Sequence, residues 1–596
     1  MENREVARVL RETAQLLEID GAIIGRYRSY EKVAELIASL AESIEVLARD
    51  PEKLEDLPGI GERMAEHIRE ILSTGDYALR KKLLKKYPLT ILEMLSVQSL
   101  GPKKALILWR EFKCSTVDQL EQLAREGKLR DLAGFGEKTE QNILKAIEVF
   151  KKISGRFVIP TAEHEAEKLI AYIQRYGKPG KPIRSITPAG SLRRWKETIG
   201  DLDLLLTYAP ETKPEELETI KEHILGYGEL EQVLARGENK VSFRVAKGLQ
   251  VDVRLLRPEN YGAALIYFTG SKEHNVSLRG RAIKMGYTLN EYALATTLKD
   301  ERRVAGATEE EVYAKLKLDF IPPELRENCG EIEAAEQHRL PKLIEQSDLR
   351  GDLQMHTTES DGRHSIEEMA QASRKMGYEY VAITDHSKAV TVANGMDEVR
   401  TREHARRIRA AKVAGIRILA GIEVDILKDG RLDLADEVLA ELDIVVASIH
   451  SFMNMERDES TERMLAAIEN PYVQIIGHPT GRILLRRDAM AYDMERILDA
   501  ARRRRVIMEC NAAPDRLDLK DAYLRMAKDR GVRVVISTDA HSIKNLELMR
   551  YGVQMARRGW IEKKDVLNAL PLEQMLAALR PRPNAASKKA AATPHS

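Results

Sequence analysis

The chain has 596 residues, 32% charged and 43% hydrophobic, and its 95 Lys+Arg almost cancel its 94 Asp+Glu. That is the make-up of a soluble protein of several domains, and it leaves nucleic-acid binding open, because local charge decides that. No apolar run is long enough to cross a bilayer, and the charged start MENREVARVLRET lacks the apolar core of a signal peptide. Cys114, Cys329 and Cys510 have no ligand-like spacing, so a cytoplasmic, reducing setting without a membrane partner is expected.

Residues 1–150 read as helical, with apolar residues three to four apart. Three turns repeat one pattern: LPGIGERMAEHI from Leu57, VQSLGPKKALIL from Val97 and LAGFGEKTEQNIL from Leu132. Each runs from an apolar residue through glycine into a helix start, which exposes backbone N–H groups that bind phosphate regardless of base sequence. The pattern resembles the helix-hairpin-helix motif of DNA-repair proteins. Three copies, with Lys103, Lys104 and Lys138 just after the turns, make Gly59, Gly61, Gly101, Gly134, Gly136 and these lysines the candidate DNA-binding set. A single copy would be equally well explained as helix packing around a turn.

Strand and helix signals mix from about residue 155 to 330. GSLRRWKETIGDLDLLL opens on a Gly-Ser turn entering a helix, where Gly190 permits close backbone approach and Ser191 and Arg194 offer donors to a phosphate. Asp201 and Asp203, two apart on a strand, share a face, and Asp252 in QVDVR would join them from a neighbouring strand. Three convergent carboxylates suit two hard cations bridging a triphosphate. A DxD pair alone would be better read as solvated edge-strand aspartates.

This region resembles the nucleotidyltransferase palm of the DNA polymerase X family. The resemblance runs on through YFTGSKEHNVSLRGRAIKMGYTLNEY and TEEEVYAKLKLDFIPPELREN and covers essentially residues 1–330. It implies that Gly190, Ser191 and Arg194 hold the incoming triphosphate and that Asp201 and Asp203 bind both metals. Asp252 would bind the catalytic metal and activate the primer 3′-hydroxyl. Tyr267, Phe268 and Gly270 would flank the sugar, with Asn275 and Arg279 facing the minor groove. Two positions depart from the family. Lys272 stands where an acidic residue is frequent, and His67 aligns with the Schiff-base lysine of family lyases, with Arg63 at a second lysine. An imidazole cannot replace a primary amine in that chemistry.

The polar stretch ENCGEIEAAEQHRLPKLIEQSDLR is the expected linker. From Gly351, βα units alternate, which argues for a mostly parallel sheet or barrel. Gln354, His356, Asp361, His386, Glu423, His450, His478, Asp539 and His541 stand mostly at the ends of the apolar runs GDLQMH, YVAITDH, ILAGIEVD, IVVASIH, VQIIGH and VVISTDAH. Parallel barrels carry their chemistry at such strand ends, and this donor set suits two or three transition-metal ions. His364, His404 and His595 are read as core or surface residues. The motifs resemble the PHP (polymerase and histidinol phosphatase) domain, a distorted seven-stranded β/α barrel, over about 345–575. In bacterial family X polymerases that domain is implicated in 3′-5′ exonuclease and abasic-site endonuclease chemistry. The usual opening HxH reads Gln354-Met-His356 here, and an amide oxygen, neutral and harder than imidazole, is expected either to weaken one metal position or to shift it towards manganese. Arg482 is as readily a grip on the scissile phosphate as a surface arginine.

The expected architecture is an all-α helix-hairpin-helix region, an α+β nucleotidyltransferase palm and a (β/α)7 PHP barrel. Its parts would be residues 1–90 and 91–155 (the two helical domains), 156–255 (palm), 256–330 (nascent-base-pair binding), 331–348 (linker), 349–575 (barrel) and 576–596 (disordered tail). The expected function is gap-filling DNA polymerase with 3′-5′ exonuclease, using Mg²⁺ or Mn²⁺ in the palm and two or three Mn²⁺ or Zn²⁺ ions in the barrel. Gapped or primed DNA and dNTPs are the expected partners of a monomer. The alternatives are a repair nuclease whose palm only grips DNA, and a DNA-binding scaffold with both sites silent.

Overall fold

In α1 (Asn3–Ile19), Val6, Val9, Leu10, Ala14 and Leu17 recur at helical spacing and are buried. They enter an apolar core that runs from Val6 to Ile147 and takes in Ile68 of α2 (Glu62–Thr74), Leu108 of α3 (Pro102–Phe112) and Ile143 of α4 (Gly136–Ile153). Residues on both sides of position 90 share this core, so packing does not break there. The structure, a computed structural model, describes residues 1, 3–39, 44–97, 100–132, 134–153, 155–177, 182–245, 248–297 and 302–581. By contacts the chain divides into residues 1–154 and 155–596.

The second unit opens on a five-stranded sheet, β1 (Ile183–Pro188), β2 (Asp201–Tyr208), β3 (Leu230–Arg236), β4 (Lys240–Val245) and β5 (Leu249–Leu256), in the order β1-β2-β5-β4-β3. Only β2 and β5 run parallel. Alternation along β2 sorts its residues. Leu202, Leu204 and Leu206 join a core with Val251, Val253 and Leu255, whereas Leu205 belongs to a separate cluster with Ala264 and Leu265 of α6 (Tyr261–Thr269). Burying each such leucine contributes about 1.5–3 kcal/mol. The short α5 (Gly190–Arg193) follows β1, and α7 (Lys272–Lys284) follows α6.

The expected linker is built into the fold. Glu331 is fully buried, beside His274 Nδ1 at 2.6 Å, and accepts from the backbone amides of Asn328 and Cys329. Burial lowers the His274 pKa, so the neutral ring donates to Glu331 while its Nε2, 3.0 Å away, accepts from the Tyr313 hydroxyl. Ile332, Ala335 and Leu343 share a core with Leu278, Val312 and Trp560. This polar segment is held because Glu331 is partnered inside the fold and its apolar residues join this core, while most of its other charges face solvent.

Seven parallel strands follow in chain order: β6 (Gly351–Asp352), β7 (Tyr380–Ile383), β8 (Arg417–Asp425), β9 (Ile444–Ser448), β10 (Ile475–Ile476), β11 (Ile507–Asn511) and β12 (Val534–Ser537). The longer strands are mainly apolar because both faces are covered, and every residue of β9 is buried. Just past β6 and β12, His356 N donates to Ala540 O at 2.9 Å and Asp539 N to Gln354 O at 3.1 Å, which brings the ring nearly to closure. The last barrel helix, α8 (Met549–Arg558), packs on β12. The ordered chain passes the expected start of the tail: the helix Leu572–Ala578 packs on the barrel core, and Arg580 donates to Ile468 O and Asn470 O. Residues 582–596, with His595, lie outside the described residues.

Candidate functional site

The palm carboxylates converge as the spacing requires. Asp203 stands directly beside Asp252 on the parallel pair β2 and β5, with Asp201 two residues back on the same face. Burial, then the charges of Asp201 and Asp252, push the Asp203 pKa up to about 7. Lys240 Nζ, 2.8 Å from Asp252 Oδ2, is the nearby counter-charge. Such a crowd of acids could hold a divalent cation, which would relieve the repulsion among the carboxylates. Gly190 has φ +60, and a Cβ there would meet Asp203 Oδ2 at 2.6 Å, so only glycine brings this turn against the carboxylates.

The turn is braced from behind. Arg193 binds both oxygens of Glu309 at 2.8 and 2.6 Å, and buried Arg326 holds Glu309 at 2.7 Å. Arg194 donates Nε to Glu327 at 3.0 Å and Nη1 to the carbonyl of Thr269. Ser191 lies on α5, and Gly270, φ +72, turns the chain from α6 into α7. Phe268 is stacked under Arg254, whose guanidinium lies 4.0 Å from the ring centre. Tyr267, Asn275 and Arg279 line one small hollow, and Asn275 Nδ2 donates to Tyr267 O at 2.7 Å.

All nine barrel residues gather at one end of the ring. His356, Asp361, His386 and His541 form one group able to hold an ion, His386, Glu423 and His450 a second, and His356, Glu423 and Asp539 a third. His478 Nε2 lies 2.9 Å from Glu423 Oε1. Shared residues make this one compound site. Burial raises the acids Asp361, Glu423 and Asp539, but the surrounding imidazoles outweigh it and hold all three low, Asp361 at about 2. Burial drives His386 down to about 4, leaving it a neutral donor. At His541 burial also lowers the pKa, but Asp361 and Asp539 prevail and hold it up at about 9.

The donor set fits metal ions on a second count. Both amide atoms of Gln354 and Nδ1 of His356 and His478 are buried without a hydrogen-bond partner. Each buried orphan costs about 1–3 kcal/mol unless something satisfies it. Outer contacts aim the rings: His450 Nδ1 lies 2.9 Å from Asp425 and His541 Nδ1 2.7 Å from the Asp539 carbonyl, which turns each Nε2 towards the acids. A Cβ on Gly477 would meet Ser448 Oγ at 2.4 Å and Gln354 Oε1 at 3.3 Å, so glycine is required just before His478, itself at φ +25.

Sequence reasoning missed the supporting shell. Asp385 accepts from the Thr357 amide, the Thr357 and Ser360 hydroxyls and His404 Nε2, and so fixes the loop that carries His356 and Asp361. Glu509 accepts from His478 N at 2.6 Å, and burial followed by the Asp539 charge holds it well above the carboxylate range. An acid after an apolar run was the available signal for Asp385 and Asp425. Arg482 is committed elsewhere: it pairs with both oxygens of Glu197 at 3.1 Å and donates to the carbonyls of Arg516 and Leu517. The cation beside the cage is Arg516, with Nε 4.0 Å from Asp539 Oδ2 and Nη1 buried without a partner. His364 Nδ1 accepts from the Ile543 amide at 3.3 Å.

In the helical unit, Gly61 and Gly101 precede α2 and α3 with no side-chain cap, which leaves the helix-start N–H groups open, and Gly136 begins α4. Gly59, Gly61, Gly101, Gly134, Gly136, Lys103 and Lys138 are exposed, and Lys104 lies 5.5 Å from the Phe135 ring centre. A hollow of about 440 Å³ beside α2 is lined by Arg26, Tyr30, Arg63 and His67 among others, with no lysine among its lining residues. His67 Nδ1 contacts the Tyr30 hydroxyl at 3.2 Å, and burial lowers its pKa.

Comparison with known proteins agrees with this geometry. Residues 1–77 match a helix-hairpin-helix domain, 91–148 a SAM-like helix-hairpin-helix tandem, 264–327 the DNA polymerase beta thumb and 352–513 the PHP domain. A probable phosphatase of Caldanaerobacter subterraneus is 33% identical over 202 residues, 32% of this chain and 75% of that protein. The Bacillus subtilis protein named DNA polymerase/3'-5' exonuclease PolX is 37% identical over 584 residues, which cover 97% of this chain and 100% of that relative. With that span of identity, a polymerase-beta-like core and a PHP barrel on one polypeptide, this chain belongs to the bacterial DNA polymerase X family.

Proposed function

We infer that this chain is a DNA polymerase that fills short gaps, with a metal-dependent phosphoesterase in its barrel that removes nucleotides from 3′ ends. The observation that carries the reading is the convergence of Asp201, Asp203 and Asp252 against the Gly190 turn. It favours a working palm over one that only grips DNA, which would not need three carboxylates at the cost of raising the pKa of one to about 7. Extension of a primer on gapped duplex, with and without dNTPs, in Mg²⁺ or Mn²⁺, tests both activities. Templated addition with dNTPs and shortening without them is the expected result, and shortening alone would leave the gripping palm.

In this reading the backbone at Gly190 and Ser191, with Arg194, binds the dNTP triphosphate, and Asp252 takes up the proton of the primer 3′-hydroxyl. Mg²⁺ or Mn²⁺ held by the three aspartates supplies charge neutralisation at the phosphates. Tyr267, Phe268 and Gly270 form the wall at the sugar, and Asn275 and Arg279 read the minor groove of the new pair. The open helix starts and lysines of the helical unit grip the DNA backbone.

In the barrel, the nine-residue cage holds two or three ions, which supply Lewis acidity and an activated nucleophile when bound. Gln354 would offer an amide oxygen to that site in place of an imidazole, which favours Mn²⁺ over Zn²⁺. Arg516 holds the scissile phosphate. Arg516→Ala lowers the exonuclease rate by about 10²-fold, the scale expected when a fixed donor to developing charge is lost, while bound metal, measured by mass spectrometry, stays at the parent level. A parent-like rate would remove Arg516 from the site.

The hollow beside α2 offers Arg26, Arg63 and a helix start to a phosphate but no primary amine. Borohydride therefore traps little covalent adduct between this chain and an incised abasic site. Efficient trapping lost only in His67→Ala would overturn that expectation.

A further inference from the structure

The barrel and the polymerase core are joined by ion pairs. Arg482 of the barrel pairs with Glu197, and Arg550 of α8 binds both oxygens of Glu163 at 2.7 Å. At the end of α8 lies Arg558, whose side chain is 1% exposed. Its Nη1 donates to the backbone carbonyl of Arg194 at 2.6 Å and to Glu327 Oε1 at 3.1 Å, and its Nη2 to Asp521 at 2.5 Å. The same Glu327 oxygen receives Arg194 Nε at 3.0 Å. One carboxylate thus stands between a barrel arginine and an arginine of the nucleotide site.

We propose that Arg558 is a positioning residue of the polymerase centre, sharing Glu327 with Arg194 so that Arg194 is both aimed and free to exchange that carboxylate for the triphosphate of an incoming nucleotide. The proposal rests on the reading that Arg194 grips the triphosphate. The physical logic is a shared counter-ion. With Arg558 in place, Glu327 keeps a cation when Arg194 moves to the phosphates. Without Arg558, Glu327 keeps only Arg194 and the more distant Lys196, 4.0 Å away, so the departure of Arg194 leaves a largely buried carboxylate poorly paired. The donor that pins the Arg194 carbonyl is lost as well, and this carbonyl ends the turn that begins at Gly190. Nucleotide binding in the core would therefore depend on a barrel residue that touches neither nucleotide nor DNA.

The test is single-nucleotide gap filling by the full chain with dNTP titrated, for Arg558→Ala, Arg558→Lys, Arg194→Ala and the double variant Arg194→Ala/Arg558→Ala. Arg558→Ala is expected to raise the KM for dNTP about tenfold or more, as loss of a charged hydrogen bond does, with a smaller change in kcat and parent-like 3′-end degradation. Arg558→Lys keeps the charge with fewer donors and falls between, which reads the effect even where the alanine variant folds poorly. The double variant is worse than Arg194→Ala by clearly less than the factor that Arg558→Ala costs the parent, because the two side chains share Glu327. Arg550→Ala, which cuts a different barrel contact, leaves KM unchanged. If Arg194→Ala raises KM while Arg558→Ala and Arg558→Lys do not, or if the two effects multiply, the proposal falls and the reading of Arg194 stands. If Arg194→Ala leaves KM unchanged, that reading falls and takes the proposal with it.

Discussion

Asp252→Ala is expected to abolish primer extension, with a loss of at least about 10³-fold, because in the proposed mechanism this carboxylate binds the catalytic metal and activates the primer 3′-hydroxyl, which is worth several kcal/mol at the transition state. The geometry explains why no neighbour compensates. Asp252 is the only carboxylate that β5 contributes to the cluster. Its removal also frees Lys240, otherwise 2.8 Å away, to lie against Asp203 and Asp201, which weakens cation binding further. DNA binding stays near the parent level, because the helix starts and lysines of residues 1–153 are untouched. Gel-shift and single-turnover extension on one gapped substrate check both halves, and parent-like extension would remove Asp252 from the mechanism.

His356→Ala, or Asp539→Ala, removes 3′-end degradation while extension persists. The expected loss again reaches at least about 10³-fold. His356 belongs to two of the three ion groups, and Asp539, 3.0 Å from it, belongs to one of them, so the first change disrupts two groups and the second removes a carboxylate from one. The loss should persist in buffer supplemented with Mn²⁺, and Mn²⁺ should support the parent enzyme better than Zn²⁺. Measured rates of shortening for a labelled primer decide this, and degradation at the parent rate would place the nuclease elsewhere. The two centres separate for such changes because the ligands lie at the barrel mouth. Removing the whole barrel is a different perturbation, since it withdraws Arg482, Arg550 and Arg558 from Glu197, Glu163 and Glu327.

Much of this was legible in the sequence because it is written in local pattern. Strand periodicity placed Asp201 and Asp203 on one face, and apolar runs ending in His or Asp marked successive strands of the barrel. What escaped was set by long-range partners. The stretch around Glu331 reads as a linker by composition, yet His274 and two backbone amides satisfy its buried carboxylate. Arg482 follows a ligand motif and reads as readily as a phosphate grip as a surface arginine, but Glu197, 285 residues away, takes its guanidinium. Arg516 carries no motif, and only the folded loop brings it to Asp539. Asp385 could have been suspected as an acid between an apolar strand and His386, but its partners Thr357, Ser360 and His404 come from separate segments.

The central claim is that one chain carries two distinct metal centres, one adding nucleotides and one removing them. The most direct measurement follows a single 5′-labelled primer on gapped DNA in Mn²⁺, with and without dNTPs, for the parent, Asp252→Ala and His356→Ala. The account predicts reciprocal loss: Asp252→Ala shortens the primer under both conditions and never extends it, and His356→Ala extends it with dNTPs and leaves it intact without them. Loss of both activities in either variant, or of neither, would contradict it.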